Sequence, residues 1–260
     1  KALKEWRVQM TKIILNGCNG KMGQVISRLV WNDPDTEITA GLDLANIIEN
    51  PYPVYTNPED CREDGDVLID FSHPSALSSL LEFAKARKLP VVVATTGLSD
   101  AQKQELKKAS KEIPVFFSAN MSLGINLLIA LSKKAAALLG EDFDIEIIEK
   151  HHNQKLDAPS GTALAIADGI SEVVKNPEYV YDRHSVRRKR RKNEIGLHAV
   201  RGGTIVGEHE VLFAGTDEVI TLSHSAQSRE VFAVGAVRAA KFLAGKPAGM
   251  YSMDDLVGSL

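Results

Sequence analysis

The sequence KIILNGCNGKMG at residues 12–23 decides the fold of the first half of the chain. Its apolar run ends at Asn16, glycines follow at positions 17, 20 and 23, and an amphipathic pattern continues to Trp31. This order predicts a strand, a glycine turn and a helix. The turn is a G-x-x-G-x-x-G variant of the dinucleotide-binding fingerprint, in which Asn19 takes the usual place of the second glycine. Asparagine tolerates positive φ better than most residues, so the variant is compatible with that turn.

Alternating strand and helix patterns follow this turn. Apolar strand patterns recur at residues 37–42, 66–71, 90–94 and 114–117, and helical patterns lie at 75–88 and 100–110. Such alternation predicts an α/β fold with a Rossmann-like, doubly wound parallel sheet.

The pattern changes after Asn120. A long helical pattern reaches Leu139, and a strand pattern at 143–149 comes next. Closely spaced strand patterns then follow at 195–200, 204–213 and 218–223, and a last helical pattern lies at 231–243. We expect a second, α+β domain with an open, mostly antiparallel sheet that is covered by helices on one face.

The composition favours a small-molecule partner. The chain has 260 residues, of which 44% are hydrophobic and 25% charged, and its formal net charge is −3. Because it lacks a basic excess, we expect neither a nucleic acid nor a membrane partner. The basic run at 187–192 is read as a solvated loop, with electrostatic attraction of a dianionic substrate as the alternative.

Several features predict a cytoplasmic protein. Cys18 and Cys61 lie far apart and fit no metal-ligand spacing, as in a reducing compartment. No apolar run looks close to the roughly 20 residues of a spanning helix, and residues 1–10 lack the apolar core of a signal peptide. Met10 resembles a natural start, so residues 1–9 are left out of the fold reasoning.

The sequence EKHHNQKLDAPSGTA at residues 149–163 predicts a site for acid/base chemistry. Ser160, Gly161 and Thr162 precede a helical pattern at 163–170, and helix starts bind anions. Lys155 adds a positive charge or a proton beside such an anion, and the two histidines titrate near neutral pH. Since adjacent histidines diverge, we expect no metal here.

This stretch resembles the signature of the dihydrodipicolinate reductase family, E-x-H-H-x-x-K-x-D-A-P-S-G-T-A, and meets all its fixed positions. The resemblance implies an enzyme that reduces 4-hydroxy-tetrahydrodipicolinate to tetrahydrodipicolinate with NAD(P)H, in lysine and diaminopimelate synthesis. It implies that Lys155 is the general acid and His151 an acid/base residue. The implied substrate-binding residues are His152, Lys155, Ser160, Gly161 and Thr162.

The resemblance also implies the domain boundaries and the assembly. In this family the last helix returns to the nucleotide-binding domain, which would then comprise residues 10–121 completed by 231–260. The substrate and oligomerisation domain would comprise residues 122–230. Family members commonly form homotetramers through the sheet of that second domain, and we carry this over as an expectation.

The cofactor is expected to be NADH, with NADPH possible. Asp43 follows the glycine turn by about twenty residues at the end of the predicted second strand, where an acid binds the ribose hydroxyls and repels a 2′-phosphate. Leu44 follows it instead of an arginine, although Lys21 offers a charge to such a phosphate. With the family's strand-end segments, the expected cofactor-binding residues are Gly17, Cys18, Asn19, Gly20, Lys21, Met22, Asp43, Phe71, Ala94, Thr95, Thr96, Ser118, Ala119, Asn120 and Met121.

Two other functions are alternatives for a chain with these motifs. An aspartate-semialdehyde or homoserine type of dehydrogenase is one, but the former needs a nucleophilic cysteine in the second domain and both cysteines lie in the first. A catalytically silent nicotinamide-binding regulator is the other, and it would not need His151, Lys155 and the anion turn together. Arg229 is left open between a substrate contact and a domain-junction role, and His73 is read as a helix cap.

Overall fold

The computed structural model describes residues 10–259, which divide into two compact units. One unit contains the chain up to Met121 together with the chain from Glu230 onward, and the other is Ser122–Arg229. The prediction that residues 1–9 precede the natural start concerns residues outside this described range.

The first unit is built on a seven-stranded parallel sheet with the strand order β12-β6-β5-β4-β1-β2-β3. Its elements are β1 (Thr11–Asn16), α1 (Lys21–Trp31), β2 (Thr36–Leu42), β3 (Val54–Tyr55), β4 (Val67–Asp70), α2 (Leu77–Ala86), β5 (Val91–Val93), α3 (Asp100–Ala109), β6 (Pro114–Phe117), α6 (Glu230–Leu243), β12 (Gly249–Tyr251) and α7 (Met253–Gly258). The Rossmann-like parallel sheet expected from the sequence is confirmed.

Burial on both faces explains why these strands are apolar runs rather than alternating patterns. Helices α2 and α3 pack on one set of strand side chains, which includes Ile14 and Leu68. Helix α6 contacts β1, β4, β5, β6 and helix α1. A Cβ atom at Gly235 of α6 would lie 1.6 Å from the Met121 carbonyl oxygen, so only glycine permits this close approach. Strands β3 and β12 were not predicted, because two or three residues carry no readable periodicity.

The second unit is a five-stranded sheet with the order β11-β10-β7-β9-β8, covered by two helices. Its elements are α4 (Leu123–Leu139), β7 (Asp144–His151), α5 (Gly161–Ser171), β8 (Glu178–Val180), β9 (Glu194–Arg201), β10 (Gly207–Ala214) and β11 (Val219–Ala226). Short 3₁₀ helices also occur at Pro58–Asp60, Pro74–Ala76 and Gly140–Asp142.

This second sheet is mixed, which refines the expectation of a mostly antiparallel one. Strand β10 pairs antiparallel with β7 and β11, whereas β9 pairs parallel with β7 and β8. Short connections between strands predict antiparallel neighbours, and β9 and β10 are close in sequence. In the sheet, however, β7 lies between them. Strand β10 also begins at Gly207, later than the predicted residue 204.

The two faces of this sheet differ in polarity. Inward side chains such as Ile147 and Phe213 form the core with α4 and α5. On the outer face, Lys150 bonds to Glu208 and Glu210 across the strands, with Nζ to carboxylate distances of 3.2 and 2.8 Å. The outer face is therefore polar around Lys150.

The basic run lies against carboxylates rather than standing free in solvent. Arg190 bonds to Asp144 and Glu146, and Arg188 bonds to the buried Glu194. Burial raises the pKa of Glu194, but hydrogen bonds from Arg183 and Arg188 outweigh this effect and lower that pKa to about 2. The reading of this run as a solvated loop is thus wrong for these arginines, which bond the loop to residues of β7 and β9.

One helical segment, Leu123–Asp142, is long and apolar enough to cross a membrane by length and composition alone. The expectation that no apolar run approaches that length therefore fails by this criterion. A helix that packs in a globular core can pass the same test. In this fold α4 packs against α5 and β11, with Ile125, Leu128 and Ala136 buried.

Candidate active site

The signature residues follow the end of β7 and lead into α5. His151 is the last residue of β7, and Ser160 caps α5 by accepting a hydrogen bond from the Ala163 N–H at 3.1 Å. Because side chains alternate along a strand, Glu149 and His151 face the same way as the core residues Ile145 and Ile147.

Glu149 is the centre of a buried polar cluster and is 0% exposed. Arg201 bonds to both of its oxygens at 2.7 and 2.8 Å, and the Ser160 N–H donates to Oε1 at 3.0 Å. His151 Nδ1 lies 2.6 Å from Oε2. Burial raises the pKa of Glu149, but the hydrogen bonds from Arg201, His151 and Ser160 outweigh it and leave that pKa lowered. An ionised carboxylate only accepts hydrogen bonds, so Nδ1 of His151 carries a proton.

The backbone N–H and the hydroxyl of Ser160 both form hydrogen bonds within this cluster. Its side chain is buried, its N–H is used by Glu149, and its hydroxyl lies 3.1 Å from Nε2 of His209. The sequence had grouped Ser160 with Gly161 and Thr162 as one anion-binding turn. In the structure Gly161 is exposed and Thr162 is partly exposed, so the two residues after the cap are the accessible part of that turn.

Lys155 lies on the loop between β7 and α5 and is paired within it. Its Nζ is 2.9 Å from Oδ1 of Asp157. A hydrogen bond from Lys155 lowers the pKa of Asp157, and the backbone of Gly161 acts in the same direction. The loop therefore holds an ammonium beside the start of a helix.

His209 of β10 completes the cluster. Its ring meets the His151 ring edge to face, with centroids 5.2 Å apart. Burial lowers the pKa of His209 to about 4, and the neighbouring His151 adds to this effect. His209 is therefore neutral near pH 7, and its buried Nδ1 has no hydrogen-bond partner in the part of the chain that the structure describes.

His152 faces an open cavity of about 450 Å³ beside the loop. The cavity is lined by His152, Asn153, Gln154, Gly203, Thr204, Val206 and Arg229. The structure thus brings Arg229, which the sequence left open, to the same cavity as one of the signature histidines.

The glycine turn of the first unit has the geometry that a dinucleotide needs. Gly17 has φ of 80°, and a Cβ atom there would lie 2.6 Å from the Phe71 carbonyl oxygen. A Cβ at Gly23 would lie 2.2 Å from the Gly17 oxygen, so α1 approaches the turn closely. Gly20 caps α1 without a side chain of its own, which leaves the first N–H groups of the helix open to a phosphate.

Asp43 follows the end of β2 and is held beside this turn. Its Oδ2 accepts the Asn19 N–H and its Oδ1 accepts the Leu44 N–H, both at 2.8 Å. Cys18 is buried in the turn, and burial, followed by the charge of Asp43, raises the pKa of its thiol to about 11. This thiol stays protonated and unreactive.

A buried carboxylate that the sequence reasoning missed lies at the ends of β1, β4 and β5. Asp70 is 1% exposed and accepts hydrogen bonds from the Asn16 amide, the Ser72 N–H and hydroxyl, and the Thr95 hydroxyl. Thr95 was expected to bind cofactor, and its hydroxyl is used by this network.

The other residues predicted from strand ends occupy the same carboxyl edge of the sheet. Ala94 and Met121 are buried, Thr96 and Ala119 are exposed, and Ser118 bonds to the Asn120 backbone at 2.7 Å. Lys21 is exposed at the start of α1, Met22 is partly buried there, and Phe71 follows β4.

Comparisons with known proteins agree on one family. Residues 11–121 match the family model "Dihydrodipicolinate reductase, N-terminus", and residues 124–257 match "Dihydrodipicolinate reductase, C-terminus". A 4-hydroxy-tetrahydrodipicolinate reductase of Caldanaerobacter subterraneus is 57% identical over 95% of this chain and 98% of its own. One from Clostridium novyi is 52% identical over 96% of this chain and 99% of its own.

A solved structure of the same family matches the fold of this chain. The structure "Dipicolinate bound Dihydrodipicolinate reductase from Paenisporosarcina sp. TG-14" superposes with a TM-score of 0.81 at 27% identity, covering 97% of this chain and 100% of that chain. The chain therefore belongs to the dihydrodipicolinate reductase family, whose members are NAD(P)H-dependent oxidoreductases that reduce 4-hydroxy-tetrahydrodipicolinate in lysine and diaminopimelate synthesis.

Proposed function

We propose that Lys155 is the general acid of this reductase and that His151 assists or orients the proton transfer. One observation carries the proposal: the ammonium of Lys155, the ring of His151 and the start of α5 belong to one short segment. Hydride addition to a conjugated ring leaves an electron pair that needs a proton. A lysine ammonium can donate that proton while its charge attracts an anionic substrate.

We further propose that the substrate carboxylates bind His152, Lys155, Gly161 and Thr162. The first turn of α5 offers backbone N–H groups and the positive end of the helix dipole. Ser160 stabilises the same site indirectly. Its hydroxyl caps α5, and its N–H donates a hydrogen bond to Glu149. The reductase from Paenisporosarcina binds dipicolinate, a rigid ring with two carboxylates that suits such a set of donors. When bound, the reduced nicotinamide supplies the hydride.

The variant Lys155→Ala tests the proton donor. We expect kcat to fall by about 10² to 10⁴, the usual scale for general acid catalysis. Lys150→Ala is the matched control, because Lys150 lies on the outer face of the sheet between Glu208 and Glu210. Retention of more than about a third of kcat by Lys155→Ala at saturating substrate would contradict the role.

Inhibition by pyridine-2,6-dicarboxylate tests the substrate position. We expect competitive inhibition that is far stronger than by pyridine-2-carboxylate, because the second carboxylate adds charge-assisted hydrogen bonds. Thr162→Val should weaken the inhibitor by roughly 1–3 kcal/mol, since the anion loses a hydroxyl donor. Equal inhibition by the two pyridine acids would mean that the substrate binds elsewhere.

We propose NADH as the preferred cofactor. The support is the carboxylate of Asp43 beside the glycine turn, which would repel a 2′-phosphate. Calorimetric titration with both reduced cofactors measures the preference, and a tenfold difference corresponds to about 1.4 kcal/mol. Tighter binding of NADPH would contradict the proposal.

We also propose a homotetramer assembled through the second unit. The support is the edge of its sheet, where β11 is an eight-residue strand with an exposed face. Long open strand edges favour pairing with another chain. Light scattering at micromolar concentration should give four times the chain mass of 28.3 kDa. A stable monomer would contradict the assembly.

We propose a cytoplasmic location, which two buried and unpaired thiols support. Cys18 and Cys61 are both free cysteines in the fold. Such thiols persist where the compartment is reducing. Cell fractionation with an antibody against the chain would test the location.

A further inference from the structure

The roles proposed for His151 and Lys155 leave one pair of charged residues without a function. Glu149 and Arg201 form a bidentate pair across the parallel strands β7 and β9, where His151 and Arg201 are register partners. Neither residue lines the cavity beside His152. Burying a charge pair of this kind rarely adds net stability compared with apolar side chains, so its presence calls for another explanation.

The pair reaches three parts of the proposed site. The Glu149 carboxylate binds Nδ1 of His151 and the N–H of Ser160, which starts α5. The Arg201 guanidinium also donates to the carbonyl oxygen of Asp157 at 2.6 Å, on the loop that carries Lys155. One ion pair thus fixes the ring, the helix start and the loop.

Gly207 leaves room at the other side of the His151 ring. A Cβ atom at Gly207 would lie 3.1 Å from Nε2 of His151, which is closer than ordinary van der Waals contact. Because the Nδ1–H of His151 donates a hydrogen bond to Glu149, the ring presents Nε2 toward the space that Gly207 keeps open. The ring is therefore held in one tautomer and one orientation.

We propose that Glu149 and Arg201 are positioning residues, which act on catalysis by fixing the tautomer and orientation of His151. This proposal rests on the proposed function of His151 and Lys155. The charged and titratable groups that face His151 are Glu149 from its own strand, Arg201 from β9 and His209 from β10, with Lys155 near enough to influence His209.

The variant Glu149→Gln removes the charge and keeps the shape. We expect kcat to fall about tenfold or more, by analogy with other residues that orient a catalytic histidine. The KM for the reduced dinucleotide should change by no more than about twofold, because that cofactor binds the glycine turn of the other unit. The pH profile of kcat/KM should also differ from that of the wild-type enzyme, because the carboxylate that bonds to Nδ1 of His151 is gone.

Glu146→Gln is the matched control. Glu146 lies on the same strand but on its outer face, and it too bonds to a histidine, His198, and to an arginine, Arg190. A role in stability alone would give the two variants similar kinetics. Equal kcat values and equal pH profiles in the two variants would overturn the proposal.

A double-mutant cycle separates this proposal from the proposed function. If Glu149 acts through His151, then Glu149→Gln should lower kcat by less than about twofold in a His151→Ala background. Full additivity of the two changes would overturn the positioning role alone. An unchanged kcat in His151→Ala would overturn the role of His151 and this proposal with it.

Should Glu149→Gln fail to fold, Arg201→Lys provides the same test. It keeps the charge but loses the fork that bonds to both carboxylate oxygens and to Asp157. We expect a lower kcat and a shifted pH profile, and wild-type values for both would overturn the proposal.

Discussion

Each unit has a buried carboxylate near the carboxyl end of a central strand, and the two carboxylates are stabilised in different ways. Asp70 of the first unit accepts hydrogen bonds from Asn16, Ser72 and Thr95, whose donors are all uncharged. Glu149 of the second unit is bound by a guanidinium and an imidazole as well as by a backbone N–H. Both are almost inaccessible to solvent.

The different partners give the two carboxylates different roles. A carboxylate held by amide and hydroxyl groups keeps its partners at every pH at which it is ionised, so it suits a fixed turn at the end of three strands. A carboxylate that shares its charge with an imidazole is coupled to the protonation of that ring. The contacts of Asp70 fix the conformation of a turn. The contacts of Glu149 couple the local conformation to the protonation of His151.

The largest expected effect comes from breaking the charged arrangement. Glu149→Leu leaves the partly buried Arg201 without its counter-charge, and we expect a loss of about 3 kcal/mol in the free energy of unfolding. The double variant Glu149→Leu, Arg201→Met should recover most of that loss, because both charges are then replaced by apolar groups. Denaturant unfolding measures both, and equal losses in the single and double variants would contradict the comparison.

The next effect is the pH dependence of stability that arises from His209. Its pKa of about 4 in the folded state lies below its ordinary 6.5, so the unfolded chain binds more protons between these values. The contribution of His209 to the free energy of unfolding should be fully present above about pH 6.5. It should fall by roughly 3 kcal/mol as the pH drops toward 4, given the difference between the two pKa values. His209→Gln should make the unfolding midpoint much less dependent on pH in that window. His224, whose pKa burial also lowers, should keep a smaller part of the dependence.

Glu194 provides an internal control for that measurement. Its folded pKa of about 2 lies below its ordinary 4.5, so its contribution is lost only as the pH falls from about 4.5 toward 2. The loss below pH 4 should therefore persist in His209→Gln. A midpoint that falls as steeply between pH 6.5 and 4 in this variant as in the wild-type protein would assign the effect to another group.

A smaller effect is expected from the neutral arrangement. Asp70→Asn turns an acceptor oxygen into a donor that faces other donors, and we expect a loss of about 1–3 kcal/mol. The loss should be the same at pH 6 and pH 8, since none of the partners titrates in that range. A strong pH dependence would show that the two carboxylates are more alike than their contacts indicate.

The smallest change in stability is expected at an exposed ion pair. Lys133 and Glu172 form an exposed ion pair between α4 and the end of α5. Lys133→Met should change the free energy of unfolding by less than about 1 kcal/mol, because exposed pairs are screened by water and salt. A larger loss would contradict the expectation that this exposed pair contributes less to stability than the buried carboxylates do.

The sequence predicts those features whose residues are contiguous. The glycine turn at Gly17 and the loop with Lys155 are visible because a few neighbouring residues define them. The partners of Glu149 and Asp70 are not visible in this way, because Arg201 lies 52 residues from Glu149 and Asn16 lies 54 residues from Asp70. Their pairing follows from strand register, which no local pattern specifies.

One signal of the buried cluster was nevertheless present in the sequence. Glu149 falls on the same side of its strand as Ile145 and Ile147, and a charged residue in register with core positions predicts a buried partner. The identity of that partner required the mixed order of the sheet. The same order explains why the antiparallel prediction reached only two of the four strand pairings.

The return of α6 and β12 to the first unit has a consequence for protein synthesis. Strand β6 pairs with β5 on one side and with β12 on the other, and β12 begins at Gly249. A ribosome working at about 5–20 residues per second needs on the order of ten seconds to make the intervening second unit. During that time the unit encoded first is the one still unfinished, with β6 as a bare, apolar sheet edge of the kind that chaperones protect on nascent chains.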